Sequence, residues 1–101
     1  MDIVRSFTAG AVQLHVLHHA LEGEIHGAEM MAELARHGHE VSPGTLYPLL
    51  HRLEGAGLLD STTSVVDGHA RRVYRATAAG RVAFGQCQRA LRELADEVLE
   101  P

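Results

Sequence analysis

The stretch SPGTLYPLLHRLEGAGLL, Ser42 to Leu59, constrains this chain more than any other. Ser42 followed by Pro43 reads as an N-cap and a first-turn proline: the hydroxyl can take an orphan N–H, and φ is already fixed for a helix. Leu46, Leu49, Leu50 and Leu53 recur at i, i+3, i+4, i+7, which predicts a helix over 43–55 with one apolar stripe. Its other face carries Thr45, Tyr47, Pro48, His51 and Arg52. Gly55 and Gly57 end the helix, and Leu58-Leu59 begins something extended. Such a helix is held from below by leucines and shows hydroxyl, aromatic and guanidinium groups to a partner. Pro48 removes one backbone bond and is expected to kink the first turn, aiming Thr45 and Tyr47 outward.

The flanking segments supply what that helix needs. Ala11, Leu14, Leu17 and Leu21 predict a first helix over about 8–22, with Val4 and Phe7 extending the stripe backwards and residues 1–6 as a frayed lead-in or an extra turn. Residues 25–37 form a second helix with Met30, Met31 and Leu34 inward, closed by Gly38 as a C′ glycine. His39-Glu40-Val41 is then a short turn, and helix, turn, helix is a DNA-binding unit. The Thr- and Val-rich runs 58–66 and 70–77 are joined through Asp67-Gly68, a strong hairpin signal. Tyr74 is expected to pack inward with its hydroxyl satisfied. Thr77 reads as the N-cap of a last helix, 78–99. Along it Phe84, Cys87, Leu91, Leu94 and Val98 alternate by three and four, a heptad seam with too little domain left to cover it. The economical outcome is a two-fold homodimer, with that seam set against the first helix of the other copy through Leu14; the alternative is that the helix folds back on its own chain.

Three pieces, HGAEMMAEL (His26 to Leu34), SPGTLYPLLHRLEGAGLL and GHARRVYRATAAGR (Gly68 to Arg81), resemble the PadR family of bacterial winged-helix regulators, in its form with one short C-terminal helix. They stand in the family's order and at its spacing. The resemblance implies a mainly α fold with a small β-hairpin: a winged helix-turn-helix over residues 1–77, with the wing at 58–77, and a dimerisation helix over 78–101. It implies a DNA-binding transcriptional repressor on a pseudo-palindromic operator, two recognition helices entering major grooves about one turn apart. Thr45, Tyr47 and His51 would read base edges, Arg52 would either join them or stay solvated beside Glu54, and the Ser42 and Gly44 amides would meet phosphate. Arg71 and Arg72 of the wing would neutralise phosphates. It also implies release by a small aromatic or hydrophobic effector near the dimer interface, lined by Leu14, His18, Phe84, Leu91 and Leu94. One departure stands out: Ala28 follows His26-Gly27 where relatives often carry an aromatic, which is expected either to thin the packing under the recognition helix or to open a cavity.

Charge agrees with this only when it is divided along the chain. The formal net charge is −4, but residues 43–84 set Arg52, Arg71, Arg72, Arg75 and Arg81 against Glu54, Asp60 and Asp67, leaving +2. Residues 1–42 carry −4 and residues 85–101 carry −2, so the basic part coincides with the expected reading head. A chain of 101 residues makes one small domain, and 46% hydrophobic content argues against disorder. No apolar run is long enough to span a membrane, and the opening Met1-Asp2 lacks a signal-peptide pattern, so a cytoplasmic, nucleoid-associated protein is expected. The one cysteine, Cys87, fits a reducing compartment and reads as a buried thiol on the seam.

Eight histidines raise the question of a metal, and His15 and His19 could share Zn²⁺ or Ni²⁺. With no second cysteine and no carboxylate evidently placed beside them, no metal and no cofactor are expected. There is no Gly-rich phosphate loop, nucleophile elbow or H-E-x-x-H helix, so no enzyme is expected. The rival reading is a winged helix kept as a protein-interaction or dimerisation module that does not bind DNA; the acidic balance favours it, and Arg71-Arg72 oppose it.

Overall fold

The computed structural model describes residues 1–99. Its order is α1 (Ile3–Glu22), α2 (Gly27–Arg36), α3 (Pro43–Gly55), β1 (Leu59–Val66), β2 (His69–Ala76) and α4 (Ala78–Val98). This is the expected winged helix with a terminal helix. The end of the expected 78–101 segment, Glu100 and Pro101, lies outside the described residues.

The leucine stripe of α3 does what its spacing predicts: Leu46, Leu49, Leu50 and Leu53 are all buried. They meet Met30 and Leu34 of α2, Leu59 of β1 and Tyr74 of β2 in one core. Burying one such side chain stabilises the fold by about 1.5–3 kcal/mol. α2 and α3 each end on a left-handed glycine. Gly38 has φ 86° and Gly57 φ 79°. In each case the next amide returns to the helix, His39 N–H to Leu34 O at 2.8 Å and Leu58 N–H to Leu53 O at 2.9 Å.

Three local expectations need correction. α1 starts at Ile3 rather than near residue 8, so residues 3–6 are the extra turn and not a lead-in, because the Asp2 carboxylate accepts from Arg5 N–H at 2.9 Å and caps it. α2 starts at Gly27 rather than residue 25, because Ile25 is extended. It exchanges both backbone bonds with Tyr74, each 2.8 Å, and so adds a third strand position beside β2. In α1, the buried face is Val12, Val16, Leu17 and Ala20, while Ala11, Leu14 and Leu21 are only half-buried. The reason is that α1 is apolar on two sides. One side enters the core; the other, through Phe7, Ala11, Leu14 and His18, faces a cleft beside α4.

The hairpin is as expected. Asp67 (φ 53°) and Gly68 (φ 78°) both have positive φ, the two-residue turn whose twist suits paired strands. β1 and β2 pair antiparallel from Leu59↔Ala76 to Val66↔His69. Thr77 then caps α4, accepting from Gly80 N–H at 3.0 Å while its hydroxyl donates to Gly57 O at 2.6 Å. Beyond its first turns α4 leaves the core: only Gly80 of its residues is buried, and Ala83 and Phe84 are packed against the core's edge.

Candidate nucleic-acid interface

With its leucines below, α3 turns Gly44, Thr45, Tyr47, Pro48, His51 and Arg52 outward, and all six are exposed. Ser42 stands at the N-cap position, but its hydroxyl does not cap; it lies 3.4 Å from Thr45 Oγ1. The amides of Thr45 and Leu46 turn back to Ser42 O, at 3.0 and 2.9 Å, and Pro43 has none. Gly44 N–H is left without an acceptor among the described residues, at the positive end of the helix dipole. His51 and Arg52 likewise make no side-chain hydrogen bond or ion pair among the described residues. Thr45, Leu49 and Arg52 also edge a groove shared with Arg5 and Thr8 of α1.

Tyr47 is more constrained than its neighbours. It retains 41% exposure, and its ring lies across Gly27 at the start of α2, so closely that a Cβ on Gly27 would fall inside the phenol. Gly27→Ala should therefore swing the ring off α2 and cost about 1 kcal/mol. In a Tyr47→Ala background the same change should cost nothing. Urea denaturation of the four members of the cycle measures that non-additivity; additive effects would mean the two residues do not meet.

The wing arginines separate into free and committed. Arg72 Nη1 donates to Ser61 Oγ at 2.9 Å, and Ser61 Oγ donates to Glu54 Oε2 at 2.6 Å, so Arg72 is tied back toward the end of α3. Arg75 pairs with Glu24 at 2.7 Å and fastens β2 to the α1–α2 connection. Arg71 and Arg81 have no such partner among the described residues. Tyr74 is buried between these groups; burial raises its phenol pKa, Glu54 adds to the shift, and Arg72 opposes it.

The faces expected at the interface and effector site are also placed. Leu91, Leu94 and Val98 are exposed along α4, and Phe84 is half-buried. Cys87, expected as a buried thiol, is exposed in the single chain because α4 has left the core. Sequence reasoning extended the α1 stripe back to Phe7 and Val4 without naming what would cover it, and Ile3, Val4 and Phe7 are all largely exposed. The signal was there: the apolar stripe of α1 is longer than one small core can use. Between α1 and α4 lies a cleft of about 620 Å³ whose lining includes Leu14, His18, Phe84 and Leu91 but not Leu94. His18 and Phe84 stack there, with centroids 5.9 Å apart.

On another side of α1, histidines gather around Glu33. Burial lowers the His15 pKa, and the neighbouring His19 and His37 add to this against Glu33. The Arg36 hydrogen bond and charge hold Glu33 below the usual carboxylate range, and His37 and His19 contribute. No described helix is long and apolar enough to cross a membrane.

Comparison with known proteins agrees with this architecture. Residues 16–86 match the model of the Transcriptional regulator PadR-like family. Transcriptional regulator Rv3488 of Mycobacterium tuberculosis is 64% identical over 96 residues, covering 95% of this chain and 90% of that protein. A PadR family transcriptional regulator from Eggerthella lenta has a crystal structure of TM-score 0.82 at 33% identity, over 96% of this chain and 89% of its own. A PadR-like transcription factor from Bacteroides fragilis shares the fold at TM-score 0.82 and 23% identity, over 97% of this chain and 96% of its own.

Proposed function

The chain belongs to the PadR-like family of transcriptional regulators, which are not enzymes, and we propose that it acts as a homodimeric repressor on a pseudo-palindromic operator. The observation that carries this reading is the outer face of α3. Its underside is fully committed to the core, while Thr45, His51, Arg52 and the Gly44 amide face solvent with donors to spare. Thr45, Tyr47, His51 and Arg52 read base edges in the major groove; the Ser42–Gly44 segment meets a phosphate at the helix N-terminus. On the wing, Arg71 is the principal phosphate contact, and Arg72 contributes less because Ser61 already holds it. A small apolar or aromatic effector fits the cleft beside Leu14, His18, Phe84 and Leu91, where it would alter how α1 and α4 are spaced.

The test is fluorescence anisotropy with DNA from upstream of the protein's own gene, at several salt concentrations. Arg52→Ala should weaken binding by about 1–3 kcal/mol, as for a base contact. Arg71→Ala should reduce the log–log salt slope by about one unit, and Arg72→Ala should do so less. If the native chain binds that DNA no better than an unrelated duplex, and selection from genomic fragments recovers no site, the protein-interaction reading replaces this one.

A further inference from the structure

Away from the α3 surface, where α1 runs beside α2, imidazoles and a carboxylate meet. His15 and His19, one turn apart on α1, stack with centroids 5.1 Å apart. The His37 ring, just past the end of α2, approaches His15 edge-on at 4.8 Å, and His39 lies 6.2 Å from it. Glu33 reaches into this group: its Oε2 is 3.0 Å from His37 Nε2 and 3.3 Å from His19 Nε2. One donor atom each from His15, Glu33 and His37 lie within 4.8 Å of one another.

We propose that His15, Glu33 and His37 form a binding site for a divalent transition-metal ion of the zinc or nickel class, its remaining positions taken by His19, His39 or water. Two imidazoles and a carboxylate are a borderline donor set, suited to such ions rather than to Mg²⁺ or Ca²⁺, which take oxygen. A tetrahedral ion with bonds near 2.1 Å wants donors about 3.4 Å apart. Closing from separations of up to 4.8 Å asks for torsional adjustments in two half-buried side chains, His15 and Glu33, and one exposed one, His37. The two carboxylate oxygens divide the work. Arg36 holds Oε1, while Oε2 faces the imidazoles, so the guanidinium orients the ligand from behind.

The ligands also come from two packed elements. Glu33 and His37 are one turn apart at i, i+4, and His15 faces them from α1. A second group, His18, His19 and Glu22, lies on a single exposed turn of α1 and offers no such bridge. An ion bound at the first group would fasten α1 to the segment leading into α3.

Calorimetry on the untagged full chain with Zn²⁺, and again with Ni²⁺, tests the site without DNA, so its outcome is independent of the repressor reading. One ion per chain is expected. His15→Ala and His37→Ala should each weaken binding at least about tenfold, since losing even an outer partner of a metal ligand costs about that much. His18→Ala and His51→Ala should leave it unchanged. Circular dichroism melts without metal establish that the variants remain folded. Absence of stoichiometric uptake of either ion overturns the proposal, as does uptake that survives the combined His15→Ala and His37→Ala changes or is lost with His18→Ala.

Discussion

Replacing Leu91 and Leu94 together by glutamate is expected to yield a monomer at micromolar concentration and to weaken operator binding at least about 100-fold. Leu91 is 49% exposed and Leu94 44% exposed in the single chain, and Val98 continues their seam at 63%. Ile3, Val4 and Phe7 expose a second apolar strip at the start of α1. A small protein rarely leaves so much contiguous apolar surface to water without a partner. In a two-fold dimer each substitution acts twice, so four leucines are lost and four carboxylates enter an apolar contact. Each leucine is worth about 1.5–3 kcal/mol on burial, and an unpaired buried charge costs more. Two half-sites held by one dimer gain affinity from being linked, and a lone protomer has only its own contacts. Because neither leucine belongs to the protomer's core, the far-ultraviolet spectrum of the variant should stay helical. Sedimentation velocity and anisotropy, read together, separate this from unfolding. A native chain that sediments as a monomer, or a double variant that still sediments as a dimer, would refute it.

What the sequence disclosed depended on how local each cause is. The α3 stripe, the Asp67-Gly68 turn, the Thr77 cap and the Gly38 and Gly57 terminators are written in residues a few positions apart, and all are found as read. In the sequence the start of α1 reads as either a lead-in or an extra turn although its cap is local, because Asp2 stands before a weakly patterned segment. Other features arise only when distant segments meet. Ile25 is extended because of Tyr74, which is 49 positions later in the chain, and nothing in the run around Ile25 announces a strand. Gly27 is required by a ring on α3. Glu33 joins His15 only once α1 and α2 pack, so reading the histidines along α1 alone found no carboxylate beside them. On α1 itself the periodicity was misread for a different reason: two apolar faces overlap on one helix, and a single stripe was fitted through both.

Two glycines of α4 should respond to alanine with opposite signs, and the contrast tests how α4 is seated. At Gly85 a Cβ would meet no atom within 4 Å, and the position lies off the Phe84–Val98 seam. There Gly85→Ala should follow helix propensity and stabilise by about 0.5–1 kcal/mol. At Gly80 the same methyl group would run into the Leu58 carbonyl, with Leu17 Cδ1 also close at 3.4 Å. That carbonyl is not free to retreat. Leu58 O accepts from Thr77 N–H at 3.1 Å, and the adjacent Gly57 O accepts from the Thr77 hydroxyl at 2.6 Å. Moving the turn aside would loosen both bonds and the cap that starts α4. Gly80→Ala should therefore destabilise by about 1–3 kcal/mol despite the gain in propensity. Guanidinium denaturation at one fixed protein concentration gives both values, since a dimer's apparent stability varies with concentration. A Gly80→Ala variant as stable as Gly85→Ala would mean that the first turn of α4 does not rest on Leu58, and the direction in which α4 leaves the core would have to be redrawn.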